Sequence, residues 1–211
     1  MKDLIIIGAG GFGREVAWLV ERINSVNPTW NLLGYLDDNQ DIRSNNINSY
    51  PVLGCVDDFT KYDGAYFVCA IGSSKTREKI ITHIKQTKGS IKFATLIDPS
   101  VICSSTVKID EGSIICAGSI LTVNITIGKY VIINLDCTIG HDATINSYTT
   151  LYPSTNVSGN VIIEKDCEIG TSVQIKQGIS IQENCKIGAG AVVVKNIQEP
   201  GIYVGLPAVK K

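Results

Sequence analysis

From residue 97 onward the chain sets an apolar side chain at every sixth position. The series Ile97, Cys103, Ile109, Ile115, Leu121 runs on to Val193, and its seventeen positions hold twelve Ile, two Leu, two Val and one Cys. A second series, four residues after each of these, holds only Val, Ile, Ser, Thr, Ala or Cys, and Gly, Asp, Asn or Ser often follows the aliphatic directly. No insertion breaks the period. Period six suits neither an α-helix nor a plain alternating strand. It suits a solenoid whose coil has three flat faces, with one aliphatic per face pointing inward and small residues easing the corners.

Residues 1–96 follow a different pattern. "LIIIGAGGFG" is a buried strand entering a glycine-rich turn, and "REVAWLVERI" continues with Val16, Leu19, Val20 and Ile23 at helical spacing. "NLLGYLDDN" predicts a second strand that ends in two aspartates. "YFVCAIGSS" predicts a third that ends in Gly-Ser, followed by a helix carrying Arg77, Ile80, Ile81 and Ile84. Strands alternating with helices imply a small parallel sheet with helical cover. Residues 38–50, rich in Asn, Asp and Ser, predict a surface loop. Two domains are expected, 1–96 and 97–211.

Composition narrows the function classes. A chain of 211 residues with 44% hydrophobic and 18% charged residues is a folded protein with a sizeable core. A formal net charge of −1, with no basic run, gives no electrostatic case for nucleic acid. The run Leu4–Ile7 is too short for a signal segment or a membrane span. Seven cysteines without a CxxC pair suggest unpaired thiols in a reducing cytoplasm, and no metal site is expected.

The chemistry candidates lie in two stretches. "IGHDAT" places His141, one of only two histidines, beside Asp142. Three hexads make one coil, so residues eighteen apart stack. That arithmetic puts His141 between Val123 and Gly159, and Asp142 between Asn124 and Asn160, with rungs about 4.8 Å apart. A histidine beside a bare glycine backbone could supply a general base and a donor for a developing oxyanion. Asp142 could hold the imidazole in one tautomer. The plain alternative is a solvated corner histidine and an ordinary turn aspartate.

"GAGGFG" (Gly8, Gly10, Gly13) fits G-x-G-x-x-G between a strand and a helix, a turn that lets backbone N–H groups approach a phosphate. Asp37 or Asp38 ends the next strand, where a ribose contact would fall. Taken alone this suggests a nicotinamide dinucleotide. Fewer than 100 residues is about half a full dinucleotide domain, and one mononucleotide-sized half suits a nucleotide-linked sugar better. A turn that serves only helix–strand packing is the remaining alternative.

With both halves in view, the chain resembles the bacterial sugar O- and N-acetyltransferases. These join a small Rossmann-like domain to a left-handed parallel β-helix, and they include the sialic acid O-acetyltransferases and the acetyltransferases of UDP- or dTDP-4-amino sugars. The resemblance rests on "IIIGAGGFGREVA", "LGYLDD", "AIGSSKTR", "IGHDATI", "SGNVII" and "GAGAVVVKNI…GIYVGLPA". It implies an acetyl-CoA-dependent enzyme that assembles as a homotrimer, with acetyl-CoA in the groove between neighbouring subunits. It implies His141 as general base, Asp142 as the group that raises its basicity, and the Gly159 N–H on the acetyl carbonyl. Thr171 and Ala189 would meet the pantetheine arm, and Lys195 and Pro207 the far end of CoA. Gly10, Gly11, Phe12, Asp37 and Asp38 match the nucleotide-sugar site, with Gly72, Ser73 and Arg77 lining the same cleft. Arg77 could reach a diphosphate, and a salt bridge on the helix face is its plain alternative. Members of this family often carry histidines where this chain has Phe12 and Thr150. Thr150 could still offer a hydroxyl to the thioester, and Phe12 could stack. The implied acceptor is a nucleotide-linked amino sugar. A sugar hydroxyl such as that of sialic acid, an NAD-dependent activity and a non-catalytic solenoid stay open.

Overall fold

The computed structural model describes residues 1–43 and 45–211. Six strands form the N-terminal sheet: β1 (Lys2–Ile7), β2 (Trp30–Leu36), β3 (Asn46–Ile47), β4 (Tyr50–Gly54), β5 (Tyr66–Cys69) and β6 (Lys92–Phe93). Their order is β3-β4-β2-β1-β5-β6, parallel throughout except for the β3–β4 hairpin. β1 is central, and Leu4–Ile7 are fully buried, as a strand covered on both faces must be. Helix α1 (Gly11–Val26) joins β1 to β2, and α2 (Ser74–Thr87) joins β5 to β6. The chain passes from β1 to β2 on one side and later returns to β5 on the other. The turns after β1 and β5 therefore flank a topological switch point, the usual ligand crevice of an open α/β sheet.

The predicted loop 38–50 contains regular structure among its described residues. It holds a helical turn at Gln40–Ile42, the short strand β3 and a tight turn at Asn48 and Ser49, both with positive φ. The polar composition that suggested a loop belongs to this edge hairpin. Ser44 lies outside the described residues. Among the described residues no helix is long and apolar enough to cross a membrane.

From Leu96 the chain winds into a three-sided prism. Two-residue strands pair in parallel with strands eighteen residues on, for example Thr138–Ile139 with Asn156–Val157, and build three flat sheets. Leu96–Ile97, Ile114–Ile115, Ile132–Ile133 and Thr150–Leu151 lie on the first face. Ile102–Cys103 and Ile120–Leu121 open the second, and Lys108–Ile109 and Thr126–Ile127 the third. The hexad aliphatics from Ile115 to Val193 fill the interior. The first coil departs from that rule: Ile97 and Cys103 are exposed, because no earlier coil covers that end. Each corner turns on one left-handed residue, three after the inward aliphatic, and from Gly112 to Gly190 every sixth residue has positive φ. Gly, Asn and Asp dominate those positions because they adopt this conformation at least cost. Asp142 is one of them, so its identity has a backbone reason as well as any chemical one.

The two domains share a core. On the first face the outward residues Leu96, Ile114 and Ile132 are buried against Val16, Leu19 and Val20 of α1 and the N-terminal sheet. Each such burial is worth about 1.5–3 kcal/mol. The outward residues of the other faces stay open, as at Ile102 and Ile162.

Candidate active site

His141 and Asp142 occupy the corner between the second and third faces. His141 Nδ1 lies 2.8 Å from Asp142 Oδ2, and the two side chains are 48% and 45% exposed. The bond from His141, with a second from Asn124 Nδ2 at 3.2 Å, holds the Asp142 carboxyl below its ordinary value. An ionised Asp142 accepts, so Nδ1 carries the proton and Nε2 presents a lone pair. The eighteen-residue stacking holds in atomic detail. The Asp142 N–H donates to Val123 O at 3.0 Å, and the Asn160 N–H donates to His141 O at 2.8 Å.

The imidazole lies directly over Gly159. A Cβ added there would come within 2.4 Å of Nε2 and 2.5 Å of Cε1, so no other residue leaves the ring in place. Among the described residues nothing accepts from the Gly159 N–H. A Cβ on Gly140 would reach to 2.6 Å from that same nitrogen. Gly140, which belongs to "IGHDAT" itself, is a contributor to this corner that sequence reasoning passed over. Asn124 stands eighteen residues before Asp142, where the stacking arithmetic placed it, and its amide supports the carboxylate.

The acetyl-CoA candidates divide between two corners. Gly159 and Lys195 lie in register with His141. Thr171, Ala189 and Pro207 follow the corner between the first and second faces, since Thr171 links Glu168–Ile169 to Gln174–Ile175. Thr171, Ala189, Lys195 and Pro207 are all exposed. Thr150 is different. Its side chain is buried, donates to Gly72 O at 2.7 Å and accepts from Arg77 Nη2 at 3.0 Å. Its hydroxyl is spent at the domain junction, so the expected contact with a thioester does not stand.

At the switch point the two strand-to-helix turns differ. The first helix begins at Gly11 with no side-chain cap and no acid in its first turn. Gly10 and Gly11 are exposed, and nothing lies within 4 Å of where a Gly10 Cβ would be. Gly13 lets the helix press on the strand: a Cβ there would fall 2.0 Å from Gly8 O. These are the features that let a phosphate approach a helix N-terminus. Asp37 Oδ2 accepts from the Ala9 N–H at 2.7 Å and braces the turn, while Asp38 Oδ1 accepts from the Val56 N–H at 2.9 Å. Both aspartates line a recess of about 150 Å³ with Gly8, Leu36, Val56 and Ile71. Phe12 is half-buried against the shared core.

The second turn is closed from outside. Glu168 Oε1, from the prism, accepts from the Ser74 N–H at 3.1 Å and from its hydroxyl at 3.2 Å. Gly72 and Ser73 are half-buried, and Gly72 sits beside the Tyr152 hydroxyl of the prism. Arg77 does not reach the cleft. It is 1% exposed and gives all of its hydrogen bonds to Ile71 O, Gly72 O, Tyr130 O, Tyr148 O and Thr150 Oγ1. Burial lowers its pKa to about 10, which leaves it charged at neutral pH. A guanidinium so enclosed has no donor left for a diphosphate.

Comparison with known proteins agrees with both halves. A family model of the PglD N-terminal domain matches residues 3–84, and one described as the hexapeptide repeat of succinyl-transferase matches residues 160–195. The chain is 29% identical over 175 residues to the GDP-perosamine N-acetyltransferase of Escherichia coli O157:H7, covering 82% of this chain and 77% of that protein. The acetyltransferase domain of PglB from Neisseria gonorrhoeae FA1090, in complex with acetyl coenzyme A, superposes with a TM-score of 0.90 at 26% identity, over 100% of this chain and 99% of that one. WeeI from Acinetobacter baumannii AYE superposes with a TM-score of 0.88 at 30% identity over 100% of both chains.

Proposed function

We propose, from the premise that the chain belongs to the sugar acetyltransferases that join a PglD-type N-terminal domain to a hexapeptide-repeat prism, that it transfers acetyl from acetyl-CoA to the amine of a nucleotide-linked amino sugar. The observation that carries the reading is the His141 ring, held by Asp142, lying over the bare backbone of Gly159 on an open corner. The amine is favoured over a hydroxyl by the relative that is named for N-acetylation.

The residues divide the work. The open turn at Gly10 and Gly11 receives the diphosphate, and the recess at Asp37 and Asp38 receives the nucleoside. Gly72 and Ser73 border the same cleft. His141 Nε2 takes the proton from the amine as its nitrogen bonds to the acetyl carbon. The Gly159 N–H donates to the carbonyl oxygen as that oxygen gains charge. The carbon–sulfur bond then breaks, and the proton held by His141 is available to the departing thiolate. Asp142 keeps the imidazole in the required tautomer and steadies its positive form. Acetyl-CoA supplies the activated acyl group, and Thr171, Ala189, Lys195 and Pro207 would lie along it.

The working unit in this reading is a homotrimer, and the division between corners supports it. Gly72 abuts Tyr152, at the corner that continues through Thr171 and Ala189. His141 lies a full prism face away, at the next corner. One chain keeps its base apart from its own nucleotide turn, and prisms packed side by side would join the two corners.

The test is acetyl transfer to UDP-, dTDP- and GDP-linked 4-amino sugars and to free sialic acid, with the product read by mass. An N-acetylated nucleotide sugar is expected, lost in His141→Ala. Acetylation of sialic acid alone would reassign the acceptor to a hydroxyl, and no binding of acetyl-CoA would end the reading.

A further inference from the structure

Arg77 and Glu168 are charged groups at the domain junction that the proposed chemistry does not use. Burying a guanidinium is costly, and an apolar residue of similar size is commonly at least as stabilising. The rest of the junction already shows the apolar solution at Leu96, Ile114 and Ile132. What an apolar contact does not do is fix register, because it is not directional. Arg77 is directional. Nε donates to Tyr130 O at 2.9 Å and Nη2 to Tyr148 O at 2.6 Å, both carbonyls of the prism. Nη1 donates to Ile71 O at 2.5 Å and to Gly72 O at 3.2 Å, both in the turn after β5. The Thr150 hydroxyl closes the ring by accepting from Nη2 and donating to Gly72 O. The rigid planar fork thus ties one turn of the N-terminal sheet to three residues of the prism more than fifty positions away. Glu168 adds a second tie at Ser74.

The tied turn is the one that borders the proposed acceptor cleft. We propose that Arg77 and Thr150 are positioning residues: they lock Ile71–Ser73 to the first prism face, so that a sugar held by the N-terminal domain meets the acetyl donor at a fixed height along the prism edge. This rests on the function proposed above. A misplacement of about 1 Å between reacting groups can lower a rate by roughly 10²-fold, so slack in this clamp appears in kcat before it appears in folding.

The experiment uses Thr150→Val, which keeps volume and removes the hydroxyl, and Thr150→Ser, which restores it. Two readouts are taken on the full chain: steady-state transfer to the nucleotide amino sugar, and amide hydrogen exchange of the segment 70–76. Thr150→Val is expected to lower kcat by about 10- to 100-fold, leave the KM for acetyl-CoA within twofold and speed exchange in 70–76. Thr150→Ser should recover both. Unchanged exchange in Thr150→Val overturns the clamp. So does a loss of rate matched by an equal loss of acetyl-CoA affinity, which is general structural damage. If the wild type acetylates no nucleotide sugar, the functional reading has failed on its own account, and the exchange comparison between Val and Ser still decides the clamp.

Discussion

Two charged sites in this molecule invite a chemical role, and they are built in opposite ways. His141 and Asp142 stand on an open corner, roughly half exposed, with Nε2 and the Gly159 N–H left without protein partners among the described residues. Arg77 is sealed between the domains with every nitrogen engaged. The first arrangement leaves donors and acceptors for something not in the chain. The second leaves none. Whether a charged residue can act on a substrate is decided by which of its bonds remain to be made, and that cannot be seen from the residue type or its neighbours in sequence.

The sharpest way to break this contrast is to remove one side chain from each site. His141→Ala should lower kcat by on the order of 10²–10⁴ and move the unfolding midpoint in denaturant little, because the half-exposed ring makes only a surface bond to Asp142. A loss smaller than about fivefold would remove the base assignment. Arg77→Met should lower the rate through the loosened clamp and, unlike His141→Ala, should also lower stability. It strands the carbonyls of Tyr130, Tyr148 and Ile71 in a buried junction and should cost about 3–5 kcal/mol in urea unfolding. A midpoint equal to that of the wild type would mean the junction tolerates loose carbonyls and is not saturated as described.

Gly159→Ala tests the open corner more finely. The added methyl would overlap the imidazole at 2.4 Å from Nε2, so the ring must swing away. Activity should fall by roughly 10- to 100-fold while the prism stays folded, since the collision is with a mobile side chain. If Gly159→Ala is fully active, the ring does not work from where it lies.

The contrast also explains what could be seen in the sequence. The prism was legible because every coil repeats the same burial, and counting by eighteen placed His141 over Gly159 without any other information. The edge hairpin was not. β3 is two residues long, and the Asn48–Ser49 turn is as polar as a loop. Strand β6, Lys92–Phe93, is too short to show alternation. Arg77 was placed in the cleft, with Gly72 and Ser73, by the family resemblance. Its decisive partners are Tyr130, Tyr148 and Thr150, and no local pattern announces a contact across fifty residues. Thr150 was assigned to the thioester because related enzymes carry a histidine at that position.

The smallest predicted effect lies at the other end of the junction and depends on pH. Arg22 on the first helix binds Asp98 at the start of the prism, with Nε to Oδ2 at 2.5 Å and Nη2 to Oδ1 at 2.9 Å. The Ser100 hydroxyl and N–H also donate to Asp98 Oδ1, at 2.6 and 2.8 Å. Burial by itself would raise the Asp98 pKa, but the bonds from Arg22 and Ser100 outweigh it and hold the carboxyl at about 2. An unfolded aspartate titrates near about 3.9. The folded value is the lower one, so the link stabilises the fold fully above about pH 4 and is lost as pH falls toward 2. Arg22→Ala should therefore lower the thermal midpoint at pH 6, modestly because the guanidinium is a third exposed. The gap between variant and wild type should close as pH approaches 2, where protonated Asp98 has nothing to give Arg22. A gap that stays constant from pH 6 to pH 2 would show that Arg22 acts through its guanidinium over the Trp18 ring and not through its pair with Asp98.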